Sequence, residues 1–104
     1  MDKYIVVTTL CDDIEIANKI IDRLLSAKLV SGSQISRVDS KYWWNGKLES
    51  SIEYKIEFRT KVIFYKEIEK EIKSIHNYDV AEISYYEING SSEFLNWIDN
   101  TTKK

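Results

Sequence analysis

The sequence predicts an α+β domain in which one antiparallel sheet carries two packed helices. Three observations carry that reading. A β-branched run opens the chain at Tyr4-Ile5-Val6-Val7-Thr8-Thr9-Leu10. Two segments with apolar residues at three- and four-residue steps follow it at a distance. Between them lies an extended stretch broken once, at Asn45-Gly46, the pair that a two-residue hairpin turn with positive φ at both central positions prefers.

The opening run is nearly continuous in apolar and β-branched residues, as in a central strand covered on both faces. Asp12 and Asp13 end it. Asp12-Asp13-Ile14-Glu15 fits a capping box, an acceptor followed three residues later by Glu. Ile14, Ala17, Ile21, Leu24, Leu25 and Leu29 then form the predicted apolar stripe of a first helix. Ser31-Gly32-Ser33 interrupts the pattern, and a second strand is expected from about residue 34 to Trp44. The returning strand alternates, with Ile52, Tyr54, Ile56 and Phe58 on one face and Glu53, Lys55, Glu57 and Arg59 on the other.

Thr60 is placed to cap a second helix, whose buried stripe is Phe64, Ile68, Ile72 and Ile75 and which ends at His76-Asn77. A fourth strand is expected from Val80 to Ile88. Asn89-Gly90 marks a turn, and Glu93 to Asp99 reads as a short terminal helix. The order β-α-β-β-α-β is a split βαβ duplication, the ferredoxin-like arrangement, with a long hairpin between its second and third strands.

The 104 residues fit one domain, 1–104, with no linker and no short internal repeat. A formal net charge of -2 argues against nucleic acid as the main partner. No apolar run approaches a membrane span, and the start of the chain lacks a signal-peptide pattern. The lone Cys11 has no internal disulfide partner, so a reducing, cytoplasmic setting is expected. No nucleophile-base pair, phosphate-binding glycine loop or paired-cysteine motif is present, so no enzymatic activity is expected.

The segment Tyr42-Trp43-Trp44-Asn45-Gly46-Lys47-Leu48-Glu49 resembles the Tyr-Trp-Trp-x-Gly-Lys-(Ile/Leu)-Glu signature of the CutA family, the divalent-cation tolerance proteins. Arg59-Thr60, the block from His76 to Ile83 and Phe94-Leu95-Asn96-Trp97-Ile98 resemble three further family segments in the same order. The resemblance implies a ferredoxin-like subunit in a tight homotrimer like that of the PII signalling proteins, with the hairpin reaching a neighbour. It also implies an association with tolerance to divalent metals, copper above all, without an established reaction. The chain departs from the family at Gly32, where a cysteine is usual, and at Asn77, where a proline is usual. Lys55 and Glu57 replace residues that are commonly apolar, so these charges must pair or reach water.

Adjacent strand residues point to opposite faces, so one core cannot take both Trp43 and Trp44. Tyr42, Trp43 and Trp44 are therefore expected to serve trimer assembly. His76, the only histidine, suits the end of a helix, where it meets the last carbonyls. With Asp79 and Glu82 it is also the candidate set for weak binding of copper or zinc, and no tightly bound cofactor is expected. Arg59 and Tyr78 are assigned by the resemblance to clefts between subunits. The alternative function is a PII-like signalling or adaptor trimer that binds a small metabolite or a protein there. Cys11 is expected to be a small buried apolar residue.

Overall fold

The structure, a computed structural model, describes residues 3–103. Its elements are β1 (Tyr4–Cys11), α1 (Ile14–Ser26), β2 (Gly32–Trp44), β3 (Lys47–Lys61), a 3-10 turn (Val62–Phe64), α2 (Tyr65–Ile75), β4 (Ile83–Ile88) and α3 (Ser92–Thr101). The strands form one sheet in the order β2-β3-β1-β4, and every pairing is antiparallel. This is the ferredoxin-like arrangement that the sequence predicts.

β1 is central, as its unbroken apolar run requires. Directly opposed residues of an antiparallel pair share a face. Ile5, Val7 and Thr9 therefore sit beside Thr60, Phe58 and Ile56 of β3. That face is closed by Ala17, Ile20 and Leu24 of α1 and by Phe64, Ile68 and Ile72. All ten apolar side chains among these are buried. At about 1.5–3 kcal/mol for each large aliphatic or aromatic group removed from water, this layer holds the helices to the sheet.

The opposite face carries Tyr4, Val6 and Thr8 of β1, Glu57, Arg59 and Lys61 of β3, and Tyr86 of β4. α3 crosses one end of it. Asp99 accepts a hydrogen bond from the Tyr4 hydroxyl at 2.8 Å and pairs with Lys61 at 3.4 Å. A Cβ on Gly32 would meet the Trp97 ring at 3.1 Å. The charge on Glu57 is met within the chain, by the Tyr86 hydroxyl at 3.3 Å and by Arg59 at 3.9 Å.

Several local expectations shift. Asp13, not Asp12, is the N-cap of α1, its carboxylate accepting from the Glu15 amide at 2.8 Å. The buried stripe of α1 runs through Ile20, while Ile14 and Leu25 are exposed. Adjacent Ile20-Ile21 and Leu24-Leu25 pairs make two stripes nearly equivalent in sequence, and contact with α2 and the sheet selects one. Thr60 does not cap α2. It lies in β3, fully buried, and its hydroxyl donates to the Leu29 carbonyl. α2 begins instead from the 3-10 turn, with no side-chain cap. β4 begins at Ile83 rather than Val80, leaving residues 76–82 as a connecting segment.

Candidate functional site

β1 stops at Cys11, opposite Tyr54. β2 and β3 run on past that point as a hairpin whose last pair is Trp44 and Lys47. Asn45 and Gly46 close it with φ of +51° and +75°. Both central positions are left-handed, as a type I′ turn demands. The connecting segment after α2 passes beside the base of this projection. Together they enclose an open cleft of about 850 Å³.

His76 anchors the segment. Its Nδ1 accepts from the Tyr78 amide at 3.1 Å, which leaves Nε2 to donate to the Leu10 carbonyl at 2.6 Å. The imidazole thus ties the end of α2 to the end of β1, and both ring nitrogens are engaged. Its ring packs against Tyr78 with centroids 4.7 Å apart, and the Tyr78 hydroxyl donates to Glu53 Oε2 at 2.8 Å. Burial, with the Glu53 carboxylate beside it, pushes the Tyr78 phenol well above its ordinary value.

The cleft brings together residues that the sequence assigned to separate roles. Tyr42, Trp43 and Trp44 of the hairpin line it together with Tyr78, Asp79 and Glu82 of the segment. His76 stands behind it as an anchor. Arg59 is elsewhere, beside Gly32 and Val6, further along the same face of β3 that carries Glu53. It is six positions along β3 from Glu53, roughly 20 Å at the usual strand rise. One chain therefore does not bring Arg59 to Tyr78.

Sequence reasoning missed Asp39, Lys41 and Glu53, which also line the cleft. Glu53 is 6% exposed, although the alternation of β3 gives it the same pattern as its solvated neighbours. Among the described residues no cation pairs with it, and Tyr78 is its one side-chain hydrogen-bond partner.

The residues do not make a tight metal centre within one chain. Among the described residues no three His, Cys, Asp or Glu side chains converge on one point. Cys11 is buried, and its Sγ donates to the Asp13 carbonyl at 3.6 Å. Burial pushes its thiol up, and Asp12, Asp13 and Glu53 add to the rise, which disfavours the thiolate a metal would need. At position 32 glycine offers no ligand, and the ring of Trp97 stands 3.1 Å from where a side chain would begin. Among the described residues no helix is long and apolar enough to cross a membrane.

A family model described as CutA1 divalent ion tolerance protein matches residues 5–101. The chain is similar to the divalent-cation tolerance protein CutA of Archaeoglobus fulgidus, with 34% identity over 99% of this chain and 100% of that protein. It is similar also to that of Pyrococcus horikoshii, at 32% identity over 96% of this chain and 99% of the relative. The solved structure of CutA1 from Pyrococcus horikoshii superposes with a TM-score of 0.91 at 30% identity, covering 96% of this chain and 99% of the other.

Proposed function

The chain belongs to the CutA1 divalent ion tolerance family, and from that premise we propose that it is a non-catalytic homotrimer of the cytoplasm that takes copper or zinc weakly. The observation that carries the metal reading is the presence of Asp79 and Glu82 together on the lining of one cleft. Both carboxylates are exposed, so they keep water in their shells and give up little solvation to an incoming cation. Two or three such oxygens hold a divalent ion loosely, in contrast to a preformed site. His76 would add a nitrogen only by giving up its bond to Leu10 or to Tyr78. It therefore serves first as the group that positions the segment.

Calorimetric titration of the protein with Cu(II) and Zn(II) tests this reading. Weak heats that fall in an Asp79→Asn/Glu82→Gln variant are the expected result. A wild-type protein that gives no heat with either metal defeats it.

One observation favours a second reading, a PII-like signalling or adaptor trimer that binds a small molecule. The cleft has an aromatic wall of Tyr42, Trp44 and Tyr78, which a bare metal ion does not use. Its volume is in the range of small-molecule sites.

A further inference from the structure

We propose that Glu53 of each chain pairs with Arg59 of the partner subunit across the homotrimer interface, so that a neighbouring copy completes the base of the cleft. The inference rests on the trimer of the proposed function and names the contact that ties the cleft to it. It begins with two charged groups that one chain leaves unmet. Glu53 is 6% exposed, and its one side-chain hydrogen bond, from the neutral Tyr78 hydroxyl, brings no counter-charge. Arg59 Nη1 is buried and has no hydrogen-bond partner among the described residues. Glu57 Oε1 lies 3.9 Å from it, beyond hydrogen-bond reach. A carboxylate and a guanidinium nitrogen taken from water without full partners are each costly to a fold. Opposite in sign, they can offset one another.

Within one chain they cannot meet. Six positions of β3 separate them, roughly 20 Å, more than the two side chains span. Their placement suits a second copy instead. Glu53, Lys55, Glu57 and Arg59 alternate with the core residues Ile56 and Phe58, so they share the sheet face away from α1 and α2. α3 covers the Arg59 end of that face, with Trp97 over Gly32, and the Tyr78 loop covers the Glu53 end. Between the two ends Gln34 and Ser36 of β2 stand exposed, so the middle of the face lacks cover in a single chain. A face with an unmet anion at one end and an unmet cation at the other is complementary to itself head to tail. That is the heterologous contact that a threefold axis closes into a ring, each chain giving Glu53 to one neighbour and Arg59 to the next. The planar guanidinium can hold one side of the carboxylate while Tyr78 keeps Oε2. The contacts then run from Arg59 of the partner subunit through Glu53 and Tyr78 to His76. The loop that carries Asp79 and Glu82 is thereby held by assembly as well as by its own chain. Lys55 is the rival cation, two positions from Glu53 on the same face, but it is only half-buried and its ammonium can keep water.

The test is a double-mutant cycle read as trimer dissociation, by light scattering on dilution in urea below the unfolding transition. Glu53→Gln and Arg59→Gln change little in size, and Glu53→Gln keeps an acceptor for the Tyr78 hydroxyl. Each is expected to raise the midpoint concentration for dissociation by about tenfold or more, because it leaves the opposite charge buried and unmet. The double variant should dissociate no more readily than the weaker single variant. Sites this far apart within one chain act additively, so that result can arise only through a neighbour. Exchange of the charges, Glu53→Arg with Arg59→Glu, should restore the trimer that each reversal alone disrupts. Where a reversed charge does not fold by circular dichroism, the glutamine cycle decides alone. Lys55→Gln combined with Glu53→Gln should give the product of the two single effects. The proposal is overturned if the effects of Glu53→Gln and Arg59→Gln simply multiply, or if Lys55→Gln takes the place of Arg59→Gln in the cycle. A trimer whose midpoint neither glutamine variant moves defeats this pairing alone, whereas a wild-type protein that is monomeric at every concentration defeats the proposed trimer with it.

Discussion

The Tyr78 hydroxyl donates to Glu53 Oε2 at 2.8 Å, so the loop after α2 is tied to the strand that carries the hairpin. Tyr78→Phe removes the donor and leaves a buried carboxylate with no side-chain partner. A loss of about 1–3 kcal/mol in unfolding free energy is expected, read as a lower urea midpoint at unchanged slope. An unchanged midpoint would show that solvent already serves Glu53.

The same bond sets an alkaline limit. Tyr78 and Tyr65 both have phenol values raised from 10.0, Tyr65 to about 12, with burial as the first cause in each. A group with a raised folded value contributes its full stability below the unfolded value. Above pH 10 the unfolded chain releases these protons while the folded chain keeps them. The unfolded state then binds fewer protons, and stability falls as pH rises. Urea midpoints should hold between pH 8 and about pH 9.5, then decline. Tyr78→Phe should decline less steeply from its lower starting point. Parallel curves for the two proteins would assign the loss to other groups.

His76 makes two hydrogen bonds across the base of the cleft, to Leu10 and Tyr78. His76→Ala removes both and exposes the Leu10 carbonyl to whatever fills the gap. The expected cost is about 1–3 kcal/mol in total, measured by thermal or denaturant unfolding. If His76 positions the loop, weak copper heats survive in this variant while those of Asp79→Asn/Glu82→Gln do not. The reverse pattern would make the imidazole a ligand.

Much of the fold was legible in the sequence because it depends on local periodicity. The run from Tyr4 to Leu10 demanded a central position, Asn45-Gly46 fixed one turn, and Ile68 and Ile72 marked the buried side of α2. The site was less legible, for a physical reason. Glu53, Lys55 and Glu57 share one strand face and one chemical character, yet Glu53 alone is buried. What separates them is the Tyr78 loop laid over one end of the strand, a contact between residues 25 positions apart. Likewise nothing local announces that both nitrogens of His76 are occupied, since Leu10 lies 66 positions away. Adjacent acceptors at Asp12 and Asp13 left the cap ambiguous by one residue, and the backbone selected the one with extended φ and ψ.

Lys28 follows the α1 C-cap at φ +56°. The Leu29 amide donates to the Leu24 carbonyl and the Lys28 amide to that of Leu25, the paired bonds of a Schellman motif. That motif favours glycine at this position, because a Cβ is strained there. Lys28→Gly should therefore raise stability by about 1 kcal/mol, partly offset by the greater freedom of glycine in the unfolded chain. A higher melting temperature is the expected reading, and a lower one would mean that the Lys28 side chain holds more than the backbone strain costs.

Trp43 is 74% exposed, and Leu48, its partner across the hairpin, is 62% exposed on the same face. Ile52, two register pairs further along that face, is 52% exposed. Strand alternation turns this row away from Trp44, Tyr42 and Glu53, onto a face that it shares with Lys41, Ser50 and Asp39, so three large apolar side chains stand there without cover in a single chain. Burying such a row against a neighbour would gain about 1.5–3 kcal/mol for each large side chain. A tryptophan near the centre of a contact typically carries a disproportionate share. In the proposed trimer, Trp43→Glu places a charge where that row would be desolvated, and dissociation to lighter species is expected by light scattering. Trp43→Ala, which removes area without adding charge, should shift the mass only on dilution. Gly46→Ala, which strains the turn at φ +75° with nothing within 4 Å of the new methyl, should cost stability while leaving the mass intact. A trimer mass that persists on dilution in both Trp43 variants would remove the hairpin from the assembly. A wild-type protein that is already monomeric would remove the assembly itself.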